Sequence, residues 1–140
     1  MKYLSRKKLI FQKKQDSSSL LPIGKMQEQY LTGTEESHTE TIEVRSLDDI
    51  ISDVAGCSLL KIDVQGFELY ALKRTKNLLW CFDFGYVECS YIELYEGQAL
   101  EVINYMFLHK YKIVGVYNTR NSKDGIAIQS DLLFQQRKSL

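Results

Sequence analysis

Proline occurs once and histidine twice in 140 residues, and cysteine three times without a CxxC spacing. His38 and His109 are far apart in the chain, which excludes a histidine-based metal site of the usual ligand spacing. Cys57, Cys81 and Cys89 are odd in number, so a disulfide framework is not expected. Cys57 and Cys89 lie beside or within apolar runs, where a free thiol acts as a small hydrophobe. A reduced, cytoplasmic setting follows as the expectation. Formal net charge is zero, which removes any overall electrostatic attraction to nucleic acid or to an anionic membrane. No apolar run approaches the roughly 18 residues of a membrane span, and LIF after RKK is too short for a signal-peptide core.

What remains is globular: 44% apolar residues and 11% aromatic, enough for one compact domain and too short for two. The charge is unevenly spread. Lys2, Arg6, Lys7, Lys8, Lys13 and Lys14 precede the first acid, Asp16. Such an arm can bind phosphate or acidic lipid, and is more often a solvated tail. Residues 1–40 are weakly patterned and read as loop or irregular surface.

Order begins at Thr41, where TIEVRS alternates Ile42 and Val44 against charged neighbours, the period of a half-buried strand. Ser46 with Asp49 resembles a capping box, and Leu47, Ile50, Ile51 and Val54 make a helical stripe that Gly56 ends. Leu59, Leu60, Ile62 and Val64 form a nearly continuous apolar run, which suits a strand covered on both faces. Gly66 permits a sharp turn into a helix over about Phe67–Leu79, with Leu69, Leu72 and Leu79 on one face. A strand at Asp83–Ser90, a loop over Tyr91–Gly97, and a helix over Gln98–Lys110 with Leu100, Ile103 and Phe107 inward come next. YKIVGVYN and GIAIQSDLLF, joined by an NSKDG turn, read as an antiparallel pair. Strands alternating with helices predict an α/β fold with a mainly parallel sheet and a final antiparallel hairpin.

Ligands gather beyond the carboxyl ends of strands in such sheets. Asp63 and Glu88 both fall there. Either can accept a proton from a hydroxyl or help to hold a cation. Either can instead accept backbone N–H bonds from the turn that follows. Glu68, in the first turn of its helix, has an ordinary stabilising role open to it. Tyr91, Glu93, Tyr95 and Glu96 crowd one loop, where they suit a hydroxylated substrate or are plain loop residues. Asn118 is similarly placed. QGFE has one glycine and is no phosphate-cradling loop. A metal-dependent hydrolase using Asp63, Glu68 and Glu88 ranks low for want of histidine ligands.

KIDVQGFELYALK, then YVECSYIELYEGQ, then KIVGVYN and SDLLF, resemble the C-terminal half of FkbM-type methyltransferases. TIEVRSLDDII and SSSLLPIGK resemble segments further upstream, so the resemblance covers roughly residues 16–134. It implies a Rossmann-like class I methyltransferase sheet and S-adenosyl-L-methionine as cofactor. The implied reaction is O-methylation of a hydroxyl acceptor on a sugar or secondary metabolite. Carried over, Asp63 and Glu88 are catalytic, and Gln65, Gly66 and Glu68 border the cofactor. Tyr91, Glu93, Tyr95 and Asn118 border the acceptor, and no metal is implied. Residues 1–15 match nothing in that pattern, and no Gly-rich turn stands ahead of Thr41. The expectation is therefore a basic arm over 1–15 followed by half of a methyltransferase domain over 16–140, incomplete at its N-terminal side. Its exposed sheet edge would favour self-association or a partner. A non-catalytic interaction module with the same half-fold is the alternative.

Overall fold

A computed structural model describes residues 4–12, 18–20, 36–75, 77–92 and 99–137. The elements are β1 (Leu4–Gln12), β2 (Glu36–Arg45), α1 (Leu47–Ile50), β3 (Leu59–Ile62), α2 (Glu68–Lys73), β4 (Phe84–Ser90), α3 (Ala99–Leu108), β5 (Tyr111–Asn121) and β6 (Ala127–Gln136). From β2 onward this is the order read from the sequence.

The sheet is not mainly parallel. Its four strands run β3-β4-β6-β5, and only β3 and β4 are parallel, while β6 pairs antiparallel with both β4 and β5. The hairpin inserts its second strand beside β4, so it supplies half of the sheet rather than trimming one edge. A second correction concerns the strand at Thr41. It is a strand with Ile42 and Val44 half-buried, but it belongs to a separate two-stranded sheet with β1. The described part of the basic arm, Leu4–Gln12, is accordingly no solvated tail. Leu4 to Gln12 pairs antiparallel with β2, Lys7 opposite Ile42 and Arg6 opposite Glu43.

One face of the four-stranded sheet carries the core. Gly85, Val87 and Cys89 of β4 alternate with half-buried neighbours, and Leu132 and Phe134 of β6 continue that face. Leu72 of α2 and Ala99, Val102 and Met106 of α3 cover it. The inward face of α3 is thus one residue ahead of the expected stripe. Leu100 is 63% exposed and Phe107 52%. ALEVINYMFL has apolar residues at helical spacing on more than one face, and periodicity alone cannot choose between them. Close packing chooses: the Met106 Cε lies 3.0 Å from where a Cβ on Gly85 would stand.

The helices are shorter than expected. α1 is a single turn, and Ser46 makes no side-chain cap bond. Its neighbour Asp48 reaches instead across the fold, accepting the Asn77 N–H at 3.0 Å and the Leu78 N–H at 3.1 Å. α2 stops at Lys73, where the Thr75 hydroxyl returns a bond to the Ala71 carbonyl at 2.8 Å. Leu79 follows in a 3₁₀ turn over Leu79–Cys81. Tyr111 is buried beneath that turn, its hydroxyl 2.6 Å from the Leu79 carbonyl and 2.8 Å from that of Phe82.

Cys89 is buried as expected, whereas Cys57 is exposed, as is Cys81. Burial pushes the Cys89 thiol up to about 12, so it stays protonated and unreactive.

Candidate active site

β3 and β4 are parallel with Ile62 opposite Val87, both in the core. Strand alternation then directs the next pair, Asp63 and Glu88, to the opposite face. Geometry therefore brings the two candidate acids side by side at the carboxyl end of the parallel pair.

The chain turns immediately after Asp63. Gln65 has φ +49° and Gly66 φ +93°, and the Phe67 N–H reaches the Val64 carbonyl at 3.3 Å. Two successive positive φ values belong to a type I′ turn, which suits glycine and strains a glutamine. Glu68 stabilises this turn: its Oε1 accepts the N–H of Val64 and of Gly66, each at 3.1 Å. Glu68 is 6% exposed, and burial raises its pKa against the pull of those bonds.

Gln65 is directed into the site by its strained backbone. Its Nε2 donates to Asp63 Oδ1 at 2.8 Å and to Glu88 Oε2 at 3.2 Å, so one amide spans both carboxylates. From β6, Gln129 Nε2 donates to Glu88 Oε1 at 2.8 Å. Lys61 Nζ lies 3.6 Å from Asp63 Oδ2 at the exposed rim.

Burial pushes the Glu88 pKa up to about 7, with Asp63, Glu68 and Asp131 adding repulsion and Arg120 opposing it. The amide donors of Gln65 and Gln129 favour the ionised form, and desolvation outweighs them. A carboxylate that releases its proton near neutrality is matched to accept one from a hydroxyl at the same pH.

Asp131 faces Glu88 across the β4–β6 ladder. Its Oδ2 accepts Tyr86 Oη at 3.0 Å and Asn118 Nδ2 at 2.6 Å. Asn118, at φ +49° beside a register shift in β5, is thereby joined to the acid cluster through Asp131. Tyr91 lies past the end of β4, with its ring exposed and its N–H on the Ile128 carbonyl at 2.8 Å. Glu93 and Tyr95, with most of the expected acceptor loop, fall outside the described residues.

Sequence reading missed Ser19, Tyr86, Gln129 and Asp131. Gln129 and Asp131 had a signal, since polar residues at i and i+2 in IQSDLLF must share one strand face. Ser19 had none, because its contact is 46 residues away in sequence.

Beside the turn runs an open cavity of ≈670 Å³. Consecutive residues Leu60 to Val64 line it, so it opens onto the edge of β3 rather than onto one face. Phe67, Tyr70 and Arg74 of the α2 region form another wall, and Lys7, Val44 and Leu47 a third. Asp63 borders this cavity and Glu88 is not among its lining residues. Among the described residues, no group of histidine, cysteine or acidic side chains has metal-binding geometry, and no helix is long and apolar enough to cross a membrane.

A family model of the methyltransferase FkbM domain matches residues 4–113. It therefore takes in β1, and with it most of the stretch that the sequence reading set apart as an unmatched arm. Neither the curated proteins nor the solved structures give a match. The family model spans well over half of the chain, through β1 to the start of β5 and including the Asp63–Glu68 turn and Glu88, and the chain belongs to the FkbM methyltransferase domain family.

Proposed function

We propose that this chain takes part in S-adenosyl-L-methionine-dependent O-methylation, with a hydroxyl on a sugar or secondary metabolite as acceptor. The observation that carries the reading is the Asp63–Gln65–Glu88 cluster at the carboxyl end of the parallel strands. When bound, the cofactor supplies a methyl group on a cationic sulfur. The residues present suit that group in sign of charge, since Asp63, Glu68 and Glu88 gather at one turn. They suit its polar parts less well. The Gly66 N–H is already given to Glu68, and the Gln65 amide to the two acids. Gln65, Gly66 and Glu68 would then border the cofactor by shaping the turn more than by bonding to it.

In this reading the bound cofactor would supply the methyl group to the acceptor oxygen, and the hydroxyl proton would pass to a carboxylate of this chain. Asp63 orients the hydroxyl and Glu88 is the better-matched proton acceptor. Tyr91, Glu93, Tyr95 and Asn118 would line the acceptor side. A cytoplasmic setting is part of the proposal, supported by the free thiols of Cys57, Cys81 and Cys89.

The half-domain reading, with a partner that completes the sheet, is proposed alongside. Among the described residues β3 pairs on one side only, and Leu59, Ile50 and Tyr70 are exposed near its open edge. Such an edge accepts another strand, from a second copy or from a partner that completes the sheet. The same edge favours the non-catalytic interaction module as the second reading.

Calorimetry with S-adenosyl-L-methionine separates the two. Saturable heat supports the enzyme, and Asp63→Asn should then depress methyl transfer far more than cofactor affinity. No heat at millimolar cofactor favours the interaction module. A monomer by sedimentation, with a cooperative melt and no exposed-patch dye binding, would remove the partner proposal.

A further inference from the structure

The Gln65 conformation is held by more than its own turn and the Glu68 brace. A glutamine at φ +49° sits in the left-handed region, which residues with a side chain rarely adopt. Such strain persists only where the surroundings over-determine it. One determinant lies far away in the chain. Ser19 is 1% exposed, and its Oγ donates to the Gln65 carbonyl at 2.7 Å. Ser19 is itself clamped: its carbonyl accepts the Ile10 N–H at 2.7 Å, and its N–H reaches the Ile10 carbonyl at 3.0 Å. A continuous set of bonds thus runs from β1 through Ser19 to the Gln65 backbone. From there the Gln65 side chain carries it to both carboxylates.

We infer that Ser19 and Gln65 are positioning residues: the Ser19 hydroxyl fixes the Gln65 main chain so that its side-chain amide holds Asp63 and Glu88 together as one unit. The inference rests on the proposed function only in regarding those two acids as catalytic. Its physical content, that the bonds from β1 through Ser19 and Gln65 set the proton affinity of Glu88, is independent of any cofactor.

The groups facing Glu88 are Asp63 beyond β3, Glu68 from α2, Asp131 from β6 and, opposing them, Arg120 from β5. Replacing Ser19 changes the charge of none of them. A change in Glu88 titration on removing the Ser19 hydroxyl therefore reports the Gln65 amide. Losing an amide donor disfavours the ionised carboxylate, and the β3–β4 pairing keeps Asp63 beside Glu88, so the expected shift is upward.

The test follows the Glu88 carboxyl carbon by ¹³C NMR across pH in the full chain without cofactor. Gln65→Leu keeps the volume and deletes the amide, and should raise the Glu88 midpoint by about half a unit or more. Ser19→Ala should raise it in the same direction by less, and Ser19→Thr, which keeps the hydroxyl, should return it to the wild-type value. Thr75→Val deletes a different buried hydroxyl, bonded to Ala71, and should leave Glu88 unmoved. A wild-type midpoint in folded Ser19→Ala or in folded Gln65→Leu overturns the inference. Because no cofactor is present, a failed calorimetric test of S-adenosyl-L-methionine binding leaves this result standing, and the reverse also holds.

Discussion

The Glu68 carboxylate accepts the Gly66 N–H at 3.1 Å, and the same oxygen takes the Val64 N–H. The Glu68 side chain therefore braces the turn that presents Gln65. Glu68→Ala should lose about 2–3 kcal/mol of stability, because two backbone donors lose their partner. Glu68→Gln keeps an acceptor oxygen and removes the cost of ionising a buried acid, so it should lose much less. Urea denaturation at pH 7 compares them. Equal losses would show that the oxygen does not brace the turn.

Glu88 predicts a pH dependence of fixed sign. Its pKa is about 7 in the folded chain against an ordinary 4.5. Below pH 4.5 both states carry the proton and no penalty exists. Between 4.5 and 7 the folded chain binds more protons than the unfolded chain, so stability falls as pH rises. Above 7 the loss is complete. Glu88→Gln should match wild type at pH 4 and exceed it at pH 8 by roughly 1–2 kcal/mol, a figure reduced because Glu88 is only part-buried. Melting curves at the two pH values check this, and a variant no more stable at pH 8 contradicts it.

Tyr111→Phe isolates one buried hydroxyl. Its oxygen lies within bonding distance of the Leu79 and Phe82 carbonyls at the end of the 3₁₀ turn, and burial pushes its pKa up to about 12. The phenylalanine fills the same space and leaves the carbonyls without that donor. The expected loss is about 1–3 kcal/mol. Loss of tyrosine in this position without measurable destabilisation would mean that water replaces the hydroxyl.

Asp48 and Ser46 form a contrasting pair. Asp48→Ala removes the acceptor for the N–H groups of Asn77 and Leu78 and should cost about 1 kcal/mol or somewhat more. Ser46→Ala should be near neutral, since Ser46 makes no side-chain cap bond. The opposite ranking in thermal denaturation would restore the capping box expected from SLDD.

Much of this was legible in the chain. Element order from Thr41 onward, the turn at Gly66, the terminal hairpin, and the placement of Asp63 and Glu88 at strand ends all follow from local chemistry. Each depends on neighbours within a few residues: β-strand alternation, a glycine where φ is positive, an apolar run of four to six residues. Family membership was also carried locally, in KIDVQGFE and YVECSYIELYEGQ.

The misreadings share a cause. The α3 stripe was displaced by one residue because several faces of ALEVINYMFL are apolar, and only contact with Gly85 and the rest of the sheet selects Ala99, Val102 and Met106. Asp48 was passed over for Ser46 because its partners lie 29 and 30 residues away. β1 was read as a tail because its strand partner, Glu36–Arg45, lies beyond a long weakly patterned stretch.

By itself, the sequence determined which segments from Thr41 onward are strands or helices and which acids lie near the strand ends, since hydrophobic period and turn chemistry act over short distances. Tertiary structure alone decided strand order, with β6 inserted between β4 and β5, and the bonds from Ser19 through Gln65 to the two acids. Hydrogen bonds between residues dozens of positions apart leave no period in the chain, and only the folded backbone brings their donors and acceptors within 3.5 Å.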